Sequence, residues 1–126
     1  MRDDLELRVE AVGGCLVGRL SGATDLSNAA RLEAQVRNIV ELGERNLVVD
    51  LSGTTFLDSA ALAALVSAHH RAQVLGGSVR LAGAKGPVRK ILEVTRLDVI
   101  LDYHDDLPAA IAAALSVDGD GVSESA

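Results

Sequence analysis

The sequence predicts an α/β domain built on a small mixed β-sheet, an N-terminal hairpin followed by alternating helices and strands. Three observations carry this. Leu5, Leu7, Val9 and Ala11 alternate with Glu6, Arg8 and Glu10, the two-residue period of a half-buried strand. Gly13-Gly14 separates that run from a second extended stretch, Cys15 to Leu20, as in a hairpin with a two-residue turn. Beyond it, apolar residues switch between helical spacing and short continuous runs, so later strands are joined through helices and run parallel.

Each element follows from its own pattern. Leu32, Val36, Ile39, Val40 and Gly43 recur at helical spacing, with Ser27 as the expected N-cap and Gly43 as the C-terminal stop. Leu47-Val48-Val49-Asp50-Leu51 is nearly all apolar, as a strand buried on both faces would be. Leu62, Leu65, Val66, His69, Ala72 and Gln73 mark one side of a second helix, which ends at Gly76-Gly77. Val79 and Leu81, alternating with Arg80 and Ala82, give a fourth strand. Pro87 opens a third helix carrying Val88, Ile91, Leu92 and Thr95 on one face. Val99-Ile100-Leu101 is the candidate for a short strand, and Asp106 caps a last helix with Pro108 in its first turn and Ile111, Ala114 and Leu115 inward. Residues 1–116 form one domain, and 117–126 are expected to be a mobile tail with nothing to pack against.

Composition narrows the function. Phe56 and Tyr103 are the only aromatics and tryptophan is absent, so the base-stacking platforms of single-strand and RNA readers are missing. A net charge of −6 argues against direct nucleic-acid binding and favours a partner with a basic patch. Cys15 is the single cysteine and reads as a small core residue, in keeping with a reducing, cytoplasmic setting. No apolar run approaches the roughly 20 residues that span a bilayer, so no membrane partner is expected.

In parallel crossover units the strand-to-helix loops emerge at one edge of the sheet, where ligands usually sit. Here those loops are Gly22-Ala23-Thr24-Asp25, Thr54 to Ser59, and Gly83-Ala84-Lys85-Gly86. They bring Asp25, Asp58, Ser59 and Lys85 toward one surface. Ser59 reads as a helix cap, a nucleophile or a phosphorylation target. The nucleophile is disfavoured: Leu57 and Ala61 stand where a G-x-S-x-G elbow needs glycines. His69 lies about 15 Å down the same helix, too far to take a proton from Ser59, whereas spacing leaves His104 open. Adjacent His69-His70 diverge on a helix and lack metal-ligand spacing. Asp118-Gly119-Asp120-Gly121 lacks the terminal acid of a calcium loop, and the Lys85 loop lacks the order of a phosphate-binding P-loop, so Lys85 either sits near Ser59 or faces water. No enzyme, cofactor or metal site is assembled, and the residues alone describe a binding module.

The stretch "VVDLSGTTFLDSAALAALVSAHHRA" resembles the signature of the STAS domain family, the anti-sigma factor antagonists: a strand ending D-L-S, then F-[IL]-D-S opening a helix. "LVGRLSGATDLSNAARLEAQV" is similar to the family's second strand, G-x-x-D loop and first helix. "GGSVRLAGAKGPVRKILEVTRLDVIL" is similar to its fourth strand, third helix and leucine-rich turn. The resemblance covers about Leu5 to Leu115 and implies a STAS-like single domain with helices packed mainly on one face of the sheet.

It also implies a mechanism. The serine after the motif aspartate, Ser59 here, is phosphorylated by an anti-sigma factor that is also a serine-protein kinase of the GHKL ATPase type. The unphosphorylated domain binds that kinase and frees a sigma factor, phosphorylation releases it, and a phosphatase resets it. Asp25 matches the acidic residue of the first loop, and Asp58 the motif acid that positions the serine or caps the helix. Asp25, Asp58, Ser59, Ala61 and Leu62 are the expected partner-binding positions, with Lys85 an anion contact. Ala61 departs from the family's usual glycine, and its methyl is expected to obstruct a partner's close approach. The competing readings are a STAS scaffold in which Ser59 is a plain cap and a module sensing a nucleotide or other anion. An uncovered edge strand leaves room for a homodimer.

Overall fold

The computed structural model of the chain describes residues 5–25, 27–42 and 46–125, with side chains described as far as residue 116. Strands β1 (Glu6–Val12) and β2 (Cys15–Ala23) form the expected hairpin, paired antiparallel from Glu6↔Ser21 to Val12↔Cys15. Gly13 and Gly14 turn it at φ +58° and +94°, backbone that a Cβ resists. Helix α1 (Ala29–Glu41) leads to β3 (Asn46–Phe56), and α2 (Ser59–Val74) leads to β4 (Ser78–Ala82). Helices α3 (Gly86–Val94) and α4 (Leu97–Ile100) precede β5 (Tyr103–His104), and α5 (Leu107–Ser125) follows. The five-stranded sheet runs β1-β2-β3-β4-β5, antiparallel at the hairpin and parallel elsewhere.

The two faces of the sheet are covered unequally. On one, Val49, Leu51 and Leu81 pack with Val36 of α1, Leu65 of α2 and Leu92 of α3 in the main core. On the other, Val48 and Ala82 meet Ala110 of α5 in a small second cluster. Strand β3 is therefore buried from both sides over Leu47–Leu51, as its apolar run predicts. The same continuity buries Asp50, whose position in register opposite Arg19 of β2 supplies a partner.

Four local expectations change. Leu97 and Leu101 are buried while Val99 and Ile100 are exposed, the four-residue spacing of a helix; the expected strand at Val99–Leu101 is thus α4, and the strand lies at Tyr103–His104. Asn28, not Ser27, stands at the cap position of α1, because Asp25 Oδ1 takes both the Ser27 N–H at 2.8 Å and its hydroxyl at 2.6 Å. Gly43, the expected stop, lies outside the described residues. Helical backbone continues through Ser125, past the expected end of the last helix, and Leu115 is 41% exposed rather than inward. The expected cap of that helix is present, with Asp106 Oδ1 accepting the Ala109 N–H at 2.9 Å.

Candidate functional site: the Thr24–Asp58 junction at the start of α2

Strand β3 extends to Phe56, so only Leu57 and Asp58 connect it to α2. Leu57 is fully buried and anchors the turn, while Phe56 is 46% exposed beside it. Asp58 is the N-cap, its Oδ1 accepting the Ala61 N–H at 2.9 Å. Ser59 is then the first helical residue, exposed, and its hydroxyl makes no hydrogen bond among the described residues. The cap reading of Ser59 is thereby removed: the cap is its neighbour.

The first loop is tied directly to this turn. Thr24 is buried; its N–H donates to the Phe56 carbonyl at 3.0 Å. Its hydroxyl accepts the Asp58 N–H at 2.7 Å and donates to Asp58 Oδ1 at 3.2 Å. The same carboxylate oxygen thus caps the helix and holds Thr24. Asp25, next in the chain, is exposed and folds its own loop by accepting the Ser27 and Asn28 N–H groups. Asp25, Asp58 and Ser59 therefore share one edge of the molecule.

The other predicted positions fall elsewhere. Ala61 is fully buried and Leu62 nearly so, both in the main core, so their side chains pack the fold rather than forming a surface. Ala60, Ala63 and Ser67, exposed farther along α2, line a shallow cleft of about 470 Å³ with Ala30 and Glu33 of α1. Lys85 does not join Ser59. It lines a separate cavity of about 360 Å³ with Arg19, Asp50, Ser52 and the start of α5, on the face that α5 partly covers. Gly83 permits this, since at φ +75° a Cβ there would come within 3.2 Å of Asp50 Oδ1. His104 lies in β5, two strands from β3, at the far edge of the sheet.

Sequence reasoning missed Thr24, Phe56 and the Arg19–Asp50 pair. Asp50 Oδ2 meets Arg19 Nη1 at 3.1 Å and Oδ1 accepts the Ser52 N–H at 3.0 Å. The acid inside an otherwise apolar run was the available signal for Asp50; nothing local marks Thr24. His69 is buried, with Nδ1 accepting the Val79 N–H at 3.1 Å, and burial, then the neighbouring His70 charge, push its pKa below the ordinary histidine value. It is a core histidine joining α2 to β4. Among the described residues no group of three or more His, Cys, Asp or Glu could hold a metal ion, and no helix is long and apolar enough to cross a membrane.

The site is thus a mixed five-stranded sheet with an exposed serine just past a capping aspartate, at the parallel β3–α2 junction. The STAS domain model matches residues 6–110, and the chain belongs to that family. It is 28% identical over 109 residues to BtrV of Bordetella bronchiseptica, an anti-sigma factor antagonist by name, covering 86% of this chain and 94% of that protein. The crystal structure of an anti-sigma factor antagonist from Mycobacterium paratuberculosis superposes with a TM-score of 0.80 at 29% identity, covering 89% of this chain and 95% of that one. Bacillus SpoIIAA in its phosphorylated form shares the fold at a TM-score of 0.67 and 18% identity, covering 86% and 98% of the two chains.

Proposed function

We propose that the protein is an anti-sigma factor antagonist that binds an anti-sigma factor acting also as a serine-protein kinase of the GHKL ATPase type, and that phosphorylation of Ser59 ends the complex. The observation that carries this reading is the exposed, unbonded Ser59 hydroxyl at the first position of a helix already capped by Asp58. A hydroxyl with no structural duty is accessible to a kinase. A phosphate there would sit at the positive end of the 16-residue α2, which stabilises the anion. It would also bring roughly −1.5 to −2 charges and the bulk of a phosphate to an edge that already carries Asp25 and Asp58, changing both the charge and the shape that a bound partner meets. The names of the 28–29% identical relatives, anti-sigma factor antagonists, support an anti-sigma factor as the partner. A phosphatase returns the domain to its binding form, and the cleft between α1 and α2 seats the partner next to Ser59.

The test uses immobilised wild-type protein, Ser59→Ala and Ser59→Asp in host lysate, with bound proteins identified by mass spectrometry and added phosphate read by intact mass after incubation with ATP. The expected result is a kinase of that fold held by wild type and Ser59→Ala but not by Ser59→Asp, with one phosphate on wild type only. Equal capture by all three, without phosphate, would make the domain a constitutive scaffold and overturn the switch.

A further inference from the structure

Strand β1 is the one long edge of the sheet among the described residues; β5, at the other edge, has two residues. A two-residue turn closes on a hydrogen-bonded pair, here Val12 and Cys15. Alternation along an antiparallel ladder then commits Glu10, Arg8 and Glu6 to β2 and turns the N–H and C=O groups of Ala11, Val9 and Leu7 outward. Leu5 obeys the same alternation: its carbonyl accepts from Arg31 Nη2 at 3.0 Å instead of from β2. The strand carries no register shift and no proline, two devices that blunt edges, and Val9 at its midpoint is 44% exposed.

We infer that β1 is a self-pairing edge, joining two copies of this chain antiparallel about Val9 with Arg8 of each copy opposite Glu10 of the other. Three observations select this partner and this register. Val9 is the centre of Glu6–Val12, so a two-fold axis there pairs the whole strand. The ladder about Val9 uses only the outward groups of Leu7, Val9 and Ala11, whereas a ladder about Leu7 would need the Leu5 carbonyl that Arg31 holds. The side chains are self-complementary about that axis: Arg8 faces Glu10 twice, and Glu10 keeps its bond to Arg19 at 2.8 Å on the same face of the sheet. Among the described residues of one copy, Arg8 has only a loose pair with Glu6 at 3.7 Å, both largely exposed. Seven paired residues per copy bury less than a standard stable interface, so the dimer is weak, concentration-dependent and loosened by salt.

The experiment is sedimentation of the full chain from micromolar to millimolar concentration at low and high salt. Apparent mass is expected to rise toward double at low salt and to fall back at high salt. Val9→Pro removes an outward N–H that β2 does not use; it should remain folded by circular dichroism and stay monomeric. Arg8→Glu and Glu10→Arg should each be monomeric alone, yet associate when mixed, because every cross-pair then joins opposite charges. A wild type that stays monomeric throughout, a folded Val9→Pro that associates as wild type does, or an Arg8→Glu with Glu10→Arg mixture that stays monomeric overturns the inference. A Glu10→Arg protein that dimerises alone does so as well, since it would point to a different register or surface.

Discussion

Thr24 and Asp58 hold each other at two points: the threonine hydroxyl takes the aspartate N–H at 2.7 Å and gives its proton to the aspartate Oδ1 at 3.2 Å. Residues 34 apart in the chain are thereby made a single junction, and the loop carrying Asp25 is tied to the start of α2.

Thr24→Val removes both bonds while keeping the volume, leaving a partly buried N–H unpaired. The expected cost is about 1–3 kcal/mol, with Thr24→Ser close to wild type. Urea unfolding of the three proteins checks this. A Thr24→Val variant as stable as wild type would show that the junction contributes little.

Ala61 is fully buried on α2. A glycine at this position, which the resemblance to the family led one to expect, therefore opens no approach for a partner. Ala61→Gly should lose about 0.5–1 kcal/mol from helix propensity alone. Its capture of the wild-type partner should be unchanged. Tighter capture by the glycine variant would mean that the helix backbone itself is the contact.

His69 gives a pH dependence with a definite sign. Only the neutral ring can accept the Val79 N–H at Nδ1, and burial, then the nearby His70 charge, lower its folded pKa below 6.5. The unfolded chain takes up a proton as pH falls through 6.5 that the folded ring refuses. Stability is thus complete above that value and declines as pH drops toward the folded pKa. Melting temperature should fall between about pH 7.5 and pH 5, and His69→Asn, which retains an acceptor but does not titrate, should show a shallower fall. Identical slopes would assign the decline to surface carboxylates.

The hairpin, the helix–strand alternation and the buried faces of α1 and α2 were legible because each is written in local periodicity. The failures have a common origin in what lies across the sheet. "LDVIL" is apolar enough for either a strand or a turn of helix, and only the core contacts of Leu97 and Leu101 choose the helix. Ser27 is a good cap by residue type, but Asp25 engages its hydroxyl and N–H. Asp58 and Ser59 were found because they adjoin in sequence, whereas Thr24 reaches Asp58 only through the parallel pairing of β2 with β3. Lys85 was expected to converge with Ser59 because both follow strands. Which face a loop folds over depends on Gly83 and on Asp50 beneath it, and the loop pattern alone does not carry that information.

The cap supplied by Asp58 has a consequence for how position 59 can carry information. Because the helix start is complete without the serine, a chemical group added to that hydroxyl has no bond to break and no element to displace. The backbone should be the same before and after. Such a position works as a label and not as a lever: its state is read by a visitor that touches this edge, without any rearrangement of the elements beneath it.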